Sequence, residues 1–250
     1  MHLEKLKIIS KLKIPKLASL IIYEDKDLLV LNKPPFLPSI DERQGLTIHL
    51  LAIARKEYPD IQICHRLDRE TSGVIVFAKN PNAYRHVSME FEHRKIEKTY
   101  HAIIDGHHDF EDVEVDLPIL VAKKGPVKID RGEGKPAQTI FHSLEFFKYH
   151  TLVECKPKTG RQHQIRIHLA TKGASICADA LYGGKDVYLS RYKKGYRVTK
   201  GQDESPLIQR FALHAKELKF RHPNGSILTV EAEYPKDFSV LVALLRKYSN

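Results

Sequence analysis

Charged side chains crowd one short segment that runs directly into an apolar one. Asp68 stands between Arg66 and Arg69, and the turn-forming segment 71–73 leads into the apolar run 74–78. Five apolar residues bounded by glycine and lysine predict a short buried strand, so a rigid sheet would hold the carboxylate on a loop. Neighbouring guanidinium groups favour the ionised carboxylate. The chemistry on offer is that of a charged nucleophile or base, although most charged loops are merely solvated surface.

The composition is that of a globular protein with a strong positive charge. The chain has 250 residues, and its 41 basic and 31 acidic residues leave a net charge of +10. This charge favours an anionic partner, either nucleic acid or an acidic membrane surface. No apolar run approaches membrane-spanning length, and lysines interrupt the apolar positions of residues 1–20, which argues against a signal peptide. We therefore expect no membrane partner.

Three cysteines, Cys64, Cys155 and Cys177, are odd in number and widely spaced. They predict neither a disulfide framework nor a Cys-x-x-Cys metal site, and they indicate a reducing compartment, so we expect a cytoplasmic protein. His163 and His168 are five residues apart, a spacing that matches no zinc pattern. The sequence therefore predicts no metal and no organic cofactor.

Apolar periodicity predicts short strands separated by isolated helices. Strands are expected at 28–31, 74–78, 98–105, 139–147, 151–156, 211–221 and 227–233. Helices are expected at 46–54, 81–94, 161–171 and around Phe238, Leu241, Leu244 and Leu245. This order indicates an α+β fold, with a mixed, mainly antiparallel sheet and flanking helices. We expect a basic arm at residues 1–19, followed by one domain at residues 20–250.

A second segment with chemical character is 184–205, where tyrosines alternate with basic residues. Tyr192, Lys193, Lys194 and Tyr196 lie within it. Flat aromatic rings stack on bases and ammonium groups meet phosphates, which predicts RNA binding. The four-residue step between the tyrosines fits a helix with inward-packed rings equally well, so both alternatives stay open.

The charged loop also carries a family pattern. Its seven fixed positions in His65-Arg66-Leu67-Asp68-x-x-Thr71-Ser72-Gly73 resemble the catalytic motif of the RluA-type pseudouridine synthases, which isomerise uridine in RNA. Further matches follow in the family's order at 27–34, 97–100, 159–169 and 213–215. The resemblance covers roughly residues 20 to 250. It implies the catalytic domain of that family, without the small RNA-binding domain that many relatives carry before it.

The resemblance implies a role for several individual residues. Asp68 would be the catalytic carboxylate, Tyr100 the active-site tyrosine that stacks on the base, and Arg166 the basic partner of Asp68. Arg66 would lie near the space that a flipped-out nucleotide vacates, and Leu213 would form the apolar wall of the uracil pocket. Each residue also has a plain structural interpretation, such as a half-buried strand tyrosine or a core leucine.

Two positions depart from the family pattern. Phe36 stands where a glycine is common, which leaves the loop after the first motif in doubt, and Ala178 replaces the glycine that usually precedes Asp179. Arg161, which belongs to the matched segment 159–169, is expected to contact RNA. The sequence favours ribosomal or transfer RNA as the partner and does not choose between them.

Two other functions remain open. A non-catalytic RNA-binding protein could share the fold, although Asp68, Tyr100 and Arg166 are all retained. An RNA-cleaving hydrolase could use His163 or His168 as acid and base. Cleavage shortens the RNA, whereas isomerisation leaves its length and mass unchanged.

We predict that RNA binding depends steeply on salt. Each neutralised phosphate releases counterions, so the logarithm of the binding constant should fall linearly with the logarithm of salt concentration, by about 0.7 to 0.9 per phosphate contact. Filter binding of a structured RNA across a salt series measures the slope. A slope near zero would contradict an electrostatic RNA interface.

Overall fold

The computed structural model describes residues 15–41, 48–121, 126–198 and 203–249. Most of the basic arm expected at residues 1–19 lies outside these ranges, as do Leu46 and the lysines at 123 and 124. The division of the chain into arm and domain therefore stays a prediction.

Within the described ranges the chain forms twelve strands and four α-helices. The strands are β1 Ile21–Glu24, β2 Leu28–Lys33, β3 Gln62–Ile63, β4 Ser72–Ala78, β5 Glu97–Asp105, β6 Val113–Asp116, β7 Ile119–Leu120, β8 Lys128–Ile129, β9 Gln138–Phe146, β10 His150–Pro157, β11 Leu213–Arg221 and β12 Ile227–Glu231. The helices are α1 Leu50–Arg55, α2 Pro81–Glu92, α3 Gln164–Thr171 and α4 Lys236–Lys247. Short 3-10 turns occur at Leu17–Leu20, Ala180–Tyr182 and Leu189–Arg191.

One large sheet organises these elements in the order β1-β2-β4-β11-β5-β10-β9-β6, with β3 paired to β4 and β12 to β11. The pair β7–β8 forms a small separate sheet. Every strand pair is antiparallel except β4 with β11, where His214 faces Ser72 and Ala215 faces Gly73. The predicted α+β class with a mixed, mainly antiparallel sheet is confirmed. The parallel pair brings the end of the Asp68 loop beside the start of β11.

Strand β4 is the best-protected strand near the charged loop. All seven of its residues are buried, because helices cover both faces of the sheet here. Ile75 and Phe77 pack in the same cluster as residues of α1, whereas Val74 and Val76 pack in the same cluster as residues of α2. Each buried apolar side chain of this size contributes about 1.5–3 kcal/mol to folding. The Asp68 loop therefore leads into a rigid support.

Helix positions follow the predictions closely, with informative differences at their ends. The helix predicted from residue 161 begins only at Gln164, because His163 has a left-handed backbone with φ of 55°. The segment around Tyr192 contains only the single turn Leu189–Arg191, so its tyrosines do not lie on a longer helix. Helices α2 and α4 have twelve residues each, and in the described ranges no helix has the length and apolar character to cross a membrane.

The two departures from the family pattern have a common backbone explanation. Phe36 has a φ of 66° and Ala178 a φ of 60°, both in the left-handed region that glycine adopts without penalty. A residue with a Cβ atom loses roughly 1–2 kcal/mol in this conformation. The backbone path typical of glycine is thus kept at both positions although the glycine is not.

We predict that Gly73→Ala destabilises the fold by about 3 kcal/mol or more. A Cβ at this position would lie 2.1 Å from the carbonyl oxygen of Ala215, and the φ of +115° is itself unfavourable for alanine. Urea unfolding measures the change. The control is Gly132→Ala, where the added Cβ meets only ordinary contact at 3.6 Å, and it should stay within about 1 kcal/mol of the parent protein.

Candidate active site

The segment that carries Asp68 connects β3 to β4 and is anchored through its backbone. The ammonium group of Lys33 is fully buried and donates to the carbonyl oxygen of Arg69 at 3.0 Å. The hydroxyl of Ser39 donates to the carbonyl of Leu67 at 2.9 Å and accepts from the Leu67 N–H at 3.1 Å. The backbone of the residues on either side of Asp68 is therefore fixed by Lys33 at the end of β2 and by Ser39 beyond it.

A second buried cation, Arg210, holds the other end of this segment. Its Nη1 donates to the carbonyl oxygens of Glu70 at 2.9 Å and Leu213 at 3.0 Å, and its Nη2 donates to the Ser72 hydroxyl at 3.2 Å. A bidentate ion pair with Asp237, at 2.7 and 3.1 Å, compensates its charge. One guanidinium group thus connects the Asp68 loop, β11 and α4.

Asp68 itself lies in a cleft of about 1240 Å³. Its carboxylate is 35% exposed, and two basic groups flank the same oxygen, Oδ2: Arg166 Nη1 at 3.8 Å and His163 Nε2 at 3.9 Å. Across the described ranges, no donor lies within hydrogen-bond distance of either carboxylate oxygen. The carboxylate is rigidly carried and still open to a substrate.

Arg166 was predicted to pair with Asp68, and the structure contains this ion pair at 3.8 Å beside a tighter one that the sequence did not predict. The main partner of Arg166 is Asp179, which accepts two hydrogen bonds at 2.6 and 2.7 Å from the buried guanidinium group. Burial works against the charge of Arg166, but Asp179 raises the pKa of the guanidinium group above its usual value. The ring of Phe211 lies 4.1 Å from the guanidinium carbon. Arg166 is therefore a fixed cation that approaches Asp68 only with its free Nη1 edge.

Tyr100 and Leu213 come together on the apolar side of the cleft. Leu213 in β11 pairs with Ala102 in β5, two residues beyond Tyr100 and on the same face of the strand. Leu213 is buried and Tyr100 is half-buried, and both line the cleft that holds Asp68. Burial, together with the charge of Asp68, raises the pKa of the Tyr100 phenol well above its ordinary value. A flat, uncharged ring thus lies beside the carboxylate at neutral pH, in a position suited to a planar base.

Basic residues form the rim of the same cleft. Arg66 lines the cleft with an exposed side chain, and Arg161 lines it while its Nε donates to the carbonyl of Pro136 at 3.2 Å. A cationic rim attracts phosphate groups, as an RNA substrate requires. The structure therefore brings six residues predicted from the sequence together in one cleft: Arg66, Asp68, Tyr100, Arg161, Arg166 and Leu213.

Lys98 is a cleft residue that was not singled out from the sequence. Its ammonium group donates to the carbonyl oxygen of Thr159 at 2.9 Å. Burial lowers the pKa of Lys98 to about 8, and the neighbouring charges of Arg94 and Lys158 contribute to the decrease. The density of positive charge is thus high enough that a polyanion would relieve repulsion on binding. The only sequence signal was its position two residues before Tyr100 in the matched segment 97–100.

Two further residues of the site were also missed. The sequence drew attention to Asp179 only through the alanine that precedes it, and nothing there indicated that it would neutralise Arg166. Arg210 carries no sequence signal at all, because the carbonyl group that it holds, that of Glu70, lies 140 residues away along the chain. Contacts of such separation cannot be read from periodicity.

The predicted RNA-binding residues of the tyrosine-rich segment lie elsewhere. None of Tyr192, Lys193, Lys194 and Tyr196 lines the Asp68 cleft within the part of the chain that the structure describes. The hydroxyl of Tyr192 forms a hydrogen bond with Nδ1 of the buried His150 and the residue is half-buried, whereas Lys193 and Lys194 are exposed. A role of these residues in RNA binding stays a prediction.

Two clusters of possible metal ligands occur in the described ranges, and neither lines the Asp68 cleft. Their ligand atoms lie within 4.8 Å of one another in the groups Asp105, His150, Cys177 and Asp25, Asp27, His222. One acidic member of each group already accepts from backbone N–H groups: Asp105 accepts one bond at 2.9 Å, and Asp25 accepts two at 2.7 and 2.8 Å. Both clusters are explained by these internal bonds, and the expectation of a metal-free enzyme stays a prediction.

Comparison with known proteins identifies the family. The sequence pattern of the family described as RNA pseudouridylate synthase matches residues 27–171. Ribosomal large subunit pseudouridine synthase C of Vibrio cholerae is 35% identical over 216 residues, which cover 84% of this chain and 64% of that protein. The protein of the same name from Salmonella typhi is 33% identical over 242 residues, 94% of this chain and 72% of its own length. The chain belongs to the RNA pseudouridylate synthase family, so the predicted family and enzyme class, an isomerase, are confirmed.

Solved structures agree with the fold. Human RNA Pseudouridylate Synthase Domain Containing 4 superposes with a TM-score of 0.68 at 23% identity and covers 98% of both chains. Human RNA Pseudouridylate Synthase Domain Containing 1 superposes with a TM-score of 0.67 at 25% identity, covering 90% of this chain and 87% of its own. The chain spans about two thirds of the length of the bacterial relatives, so their substrate is carried over only as a proposal.

We predict that Asp179→Asn destabilises the protein by about 3 kcal/mol or more. The substitution leaves the buried Arg166 charge without its counter-ion, which costs far more than loss of a solvated pair. The matched control is Glu145→Gln. Arg246 donates from Nε and Nη2 to the Glu145 carboxylate oxygens at 2.8 to 3.0 Å, also in a bidentate geometry, but on the exposed surface. That control should cost no more than about 1 kcal/mol. If urea unfolding gave equal losses of stability for Asp179→Asn and Glu145→Gln, burial of the Arg166–Asp179 pair would make no difference to its contribution.

Proposed function

We propose that this protein converts uridine to pseudouridine in RNA and that Asp68 is its catalytic carboxylate. The observation that carries the proposal is the placement of an open, rigidly mounted carboxylate against Tyr100 and Arg166 inside a cationic cleft. A base must leave its stacked position to reach such a cleft, so the nucleotide is expected to be flipped out of the RNA.

The reaction needs no change in composition. The bond between N1 of uracil and C1′ of the ribose breaks, a bond forms between C5 and C1′, and the proton on C5 is replaced by one on N1. Asp68 is suited to this rearrangement because its carboxylate is charged and unoccupied, while Arg166 keeps it aimed. The Tyr100 ring is suited to hold the detached uracil by stacking while the base turns.

The substrate that we propose is large-subunit ribosomal RNA. The support comes from the bacterial relatives, whose names specify the ribosomal large subunit and whose identity extends over most of this chain. The basic cleft rim and the net charge of +10 suit any structured RNA and do not discriminate ribosomal from transfer RNA. We also infer a cytoplasmic location, since bacterial ribosomal RNA is found there and the three cysteines are free thiols.

A hydrolase that uses His168 is disfavoured by a specific observation. Both ring nitrogens of His168 are engaged, Nδ1 with the Thr139 hydroxyl at 3.0 Å and Nε2 with the Leu117 carbonyl at 3.0 Å, and the side chain is fully buried. A ring held in this way cannot exchange protons with RNA. Binding without catalysis is disfavoured because two buried cations hold the loop that presents Asp68, while its carboxylate accepts no hydrogen bond from the residues that the structure describes.

We predict that Asp68→Asn abolishes pseudouridine formation while the protein stays folded. Asparagine keeps the size of the side chain but removes its charge and nucleophile, so the yield should fall at least about a thousandfold. Binding should stay within about threefold, because affinity depends mainly on phosphate contacts made elsewhere. The measurement is pseudouridine yield on a defined ribosomal RNA fragment, with a melting curve for each variant.

The control for this substitution is Asp109→Asn, which removes the same charge from an exposed position outside the cleft. It should change neither yield nor melting temperature. Near-normal yield from well-folded Asp68→Asn would end the proposed mechanism. Shortened RNA in place of isomerised RNA would favour the hydrolase.

A further inference from the structure

His163 has an unusual backbone for a residue without functional constraint. It lies just before α3 with φ of 55° and ψ of 17°, and its side chain does not cap the helix. A non-glycine residue in this conformation loses roughly 1–2 kcal/mol, and such strain concentrates at functional sites. In this conformation the imidazole ring of His163 lines the Asp68 cleft.

The two ring nitrogens of His163 face different partners. Nδ1 lies 2.9 Å from the hydroxyl of Tyr182, and Nε2 lies 3.9 Å from Oδ2 of Asp68. The ring of Tyr182 meets the imidazole edge-on at a centroid distance of 5.7 Å. His163 therefore bridges the phenol of Tyr182 and the carboxylate proposed to be catalytic.

The surroundings of Tyr182 decide which nitrogen carries the proton. Burial raises the pKa of Tyr182 to about 12, so the hydroxyl keeps its proton at neutral pH. The hydrogen-bond partner of this hydroxyl in the described ranges is Nδ1 of His163, and we infer that the phenol is the donor of this bond. A neutral imidazole that accepts at Nδ1 must carry its own proton at Nε2.

Burial of the imidazole ring favours its neutral form. Burial lowers the pKa of His163, and the nearby Arg166 adds to the decrease, although Asp68, Asp179 and Glu70 oppose it. The net pKa lies below the ordinary value for histidine, so the ring is uncharged at neutral pH. A neutral ring with a proton on Nε2 presents a single donor, and this donor faces Asp68.

We propose that His163 is a positioning residue for Asp68, acting as a neutral imidazole that is locked by Tyr182 with its Nε2–H toward Oδ2. The inference rests on the proposed function. Arg166 Nη1 approaches the same oxygen at 3.8 Å, so both donors converge on Oδ2. A shift of about 1 Å, as the cleft closes on RNA, brings both groups into hydrogen-bond range. Oδ1 is then the oxygen left to react, because Oδ2 is held from two sides.

Arg166 and His163 would have different roles toward Asp68. Arg166, already neutralised by Asp179, supplies charge with little freedom to move. His163 adds a directional donor that fixes the rotation of the carboxylate without adding a second positive charge. A second cation at this point would weaken the carboxylate as nucleophile or base, since opposite charge stabilises its resting form.

The test compares His163→Asn with His163→Gln. Glutamine reaches far enough to place an amide donor near the Nε2 position, whereas asparagine is too short but tolerates the left-handed backbone better. We expect His163→Asn to lower kcat about 10- to 100-fold with KM within about threefold, and His163→Gln to recover most of that loss. A purely structural role at the helix start predicts the opposite ranking, with asparagine the better replacement.

Tyr182→Phe tests the lock on the ring, since phenylalanine keeps the ring that lies 5.0 Å from the Arg166 guanidinium carbon and removes only the hydroxyl. It should lower kcat several-fold in the parent protein and have no further effect in His163→Asn, where the donor is already lost. Full additivity of the two substitutions, or unchanged kcat in folded His163→Asn, would overturn the inference.

Nitrogen NMR of the histidine-labelled parent protein gives a readout that depends on no variant. The chemical shifts should identify Nε2 as the protonated nitrogen of His163, and a proton on Nδ1 at neutral pH would overturn the inference. Failure of the proposed function has a different signature. In that case the parent protein itself would form no pseudouridine on ribosomal RNA, whatever the tautomer of His163.

Discussion

The anchoring of one loop by two buried cations is the constraint on which the site depends. Lys33 and Arg210 are both fully buried, and each donates one hydrogen bond to a backbone carbonyl of the loop that carries Asp68, Arg69 for Lys33 and Glu70 for Arg210. Burial of a cation is tolerated only when its N–H donors have acceptors. The loop supplies acceptors to both cations, and the cations in turn hold the loop in place. The mutual requirement explains how an irregular segment holds a carboxylate as firmly as a helix or strand would.

The sheet supplies the second element of this rigidity. The single parallel pair, β4 with β11, brings the exit of the Asp68 loop against the segment that begins with Leu213, and a carbonyl oxygen of β11 lies where a side chain at Gly73 would be. Antiparallel pairing of β11 with β5 then adds Tyr100 to the same cleft. Three strands that are far apart in sequence thus converge on one carboxylate, with hydrogen-bonded registers fixing their relative positions.

The cations that position the site are neutralised by carboxylate partners, whereas the carboxylate proposed to react is not neutralised in this way. Arg166 and Arg210 each have a bidentate carboxylate partner, and their charges are thereby satisfied within the protein. Among the described residues, Asp68 has no such partner at hydrogen-bond distance, and basic residues line the rim of its cleft. These two ion pairs hold the surrounding elements in place, so that the Asp68 carboxylate stays open within a cationic environment. That is an arrangement suited to chemistry on a polyanion and of little use for stability.

Local sequence pattern was sufficient to predict the apolar strand after the Asp68 loop, the helix that begins at residue 81, the antiparallel hairpin of β9 and β10, and the α+β class. Family motifs added Asp68, Tyr100 and Leu213 to one site, and the structure places them in one cleft. Only the tertiary structure decided that Asp179 holds Arg166, that Arg210 ties the loop to α4 and that His163 turns into the cleft. These depend on contacts between distant segments and on a left-handed backbone, and neither leaves a periodic trace in the amino-acid sequence.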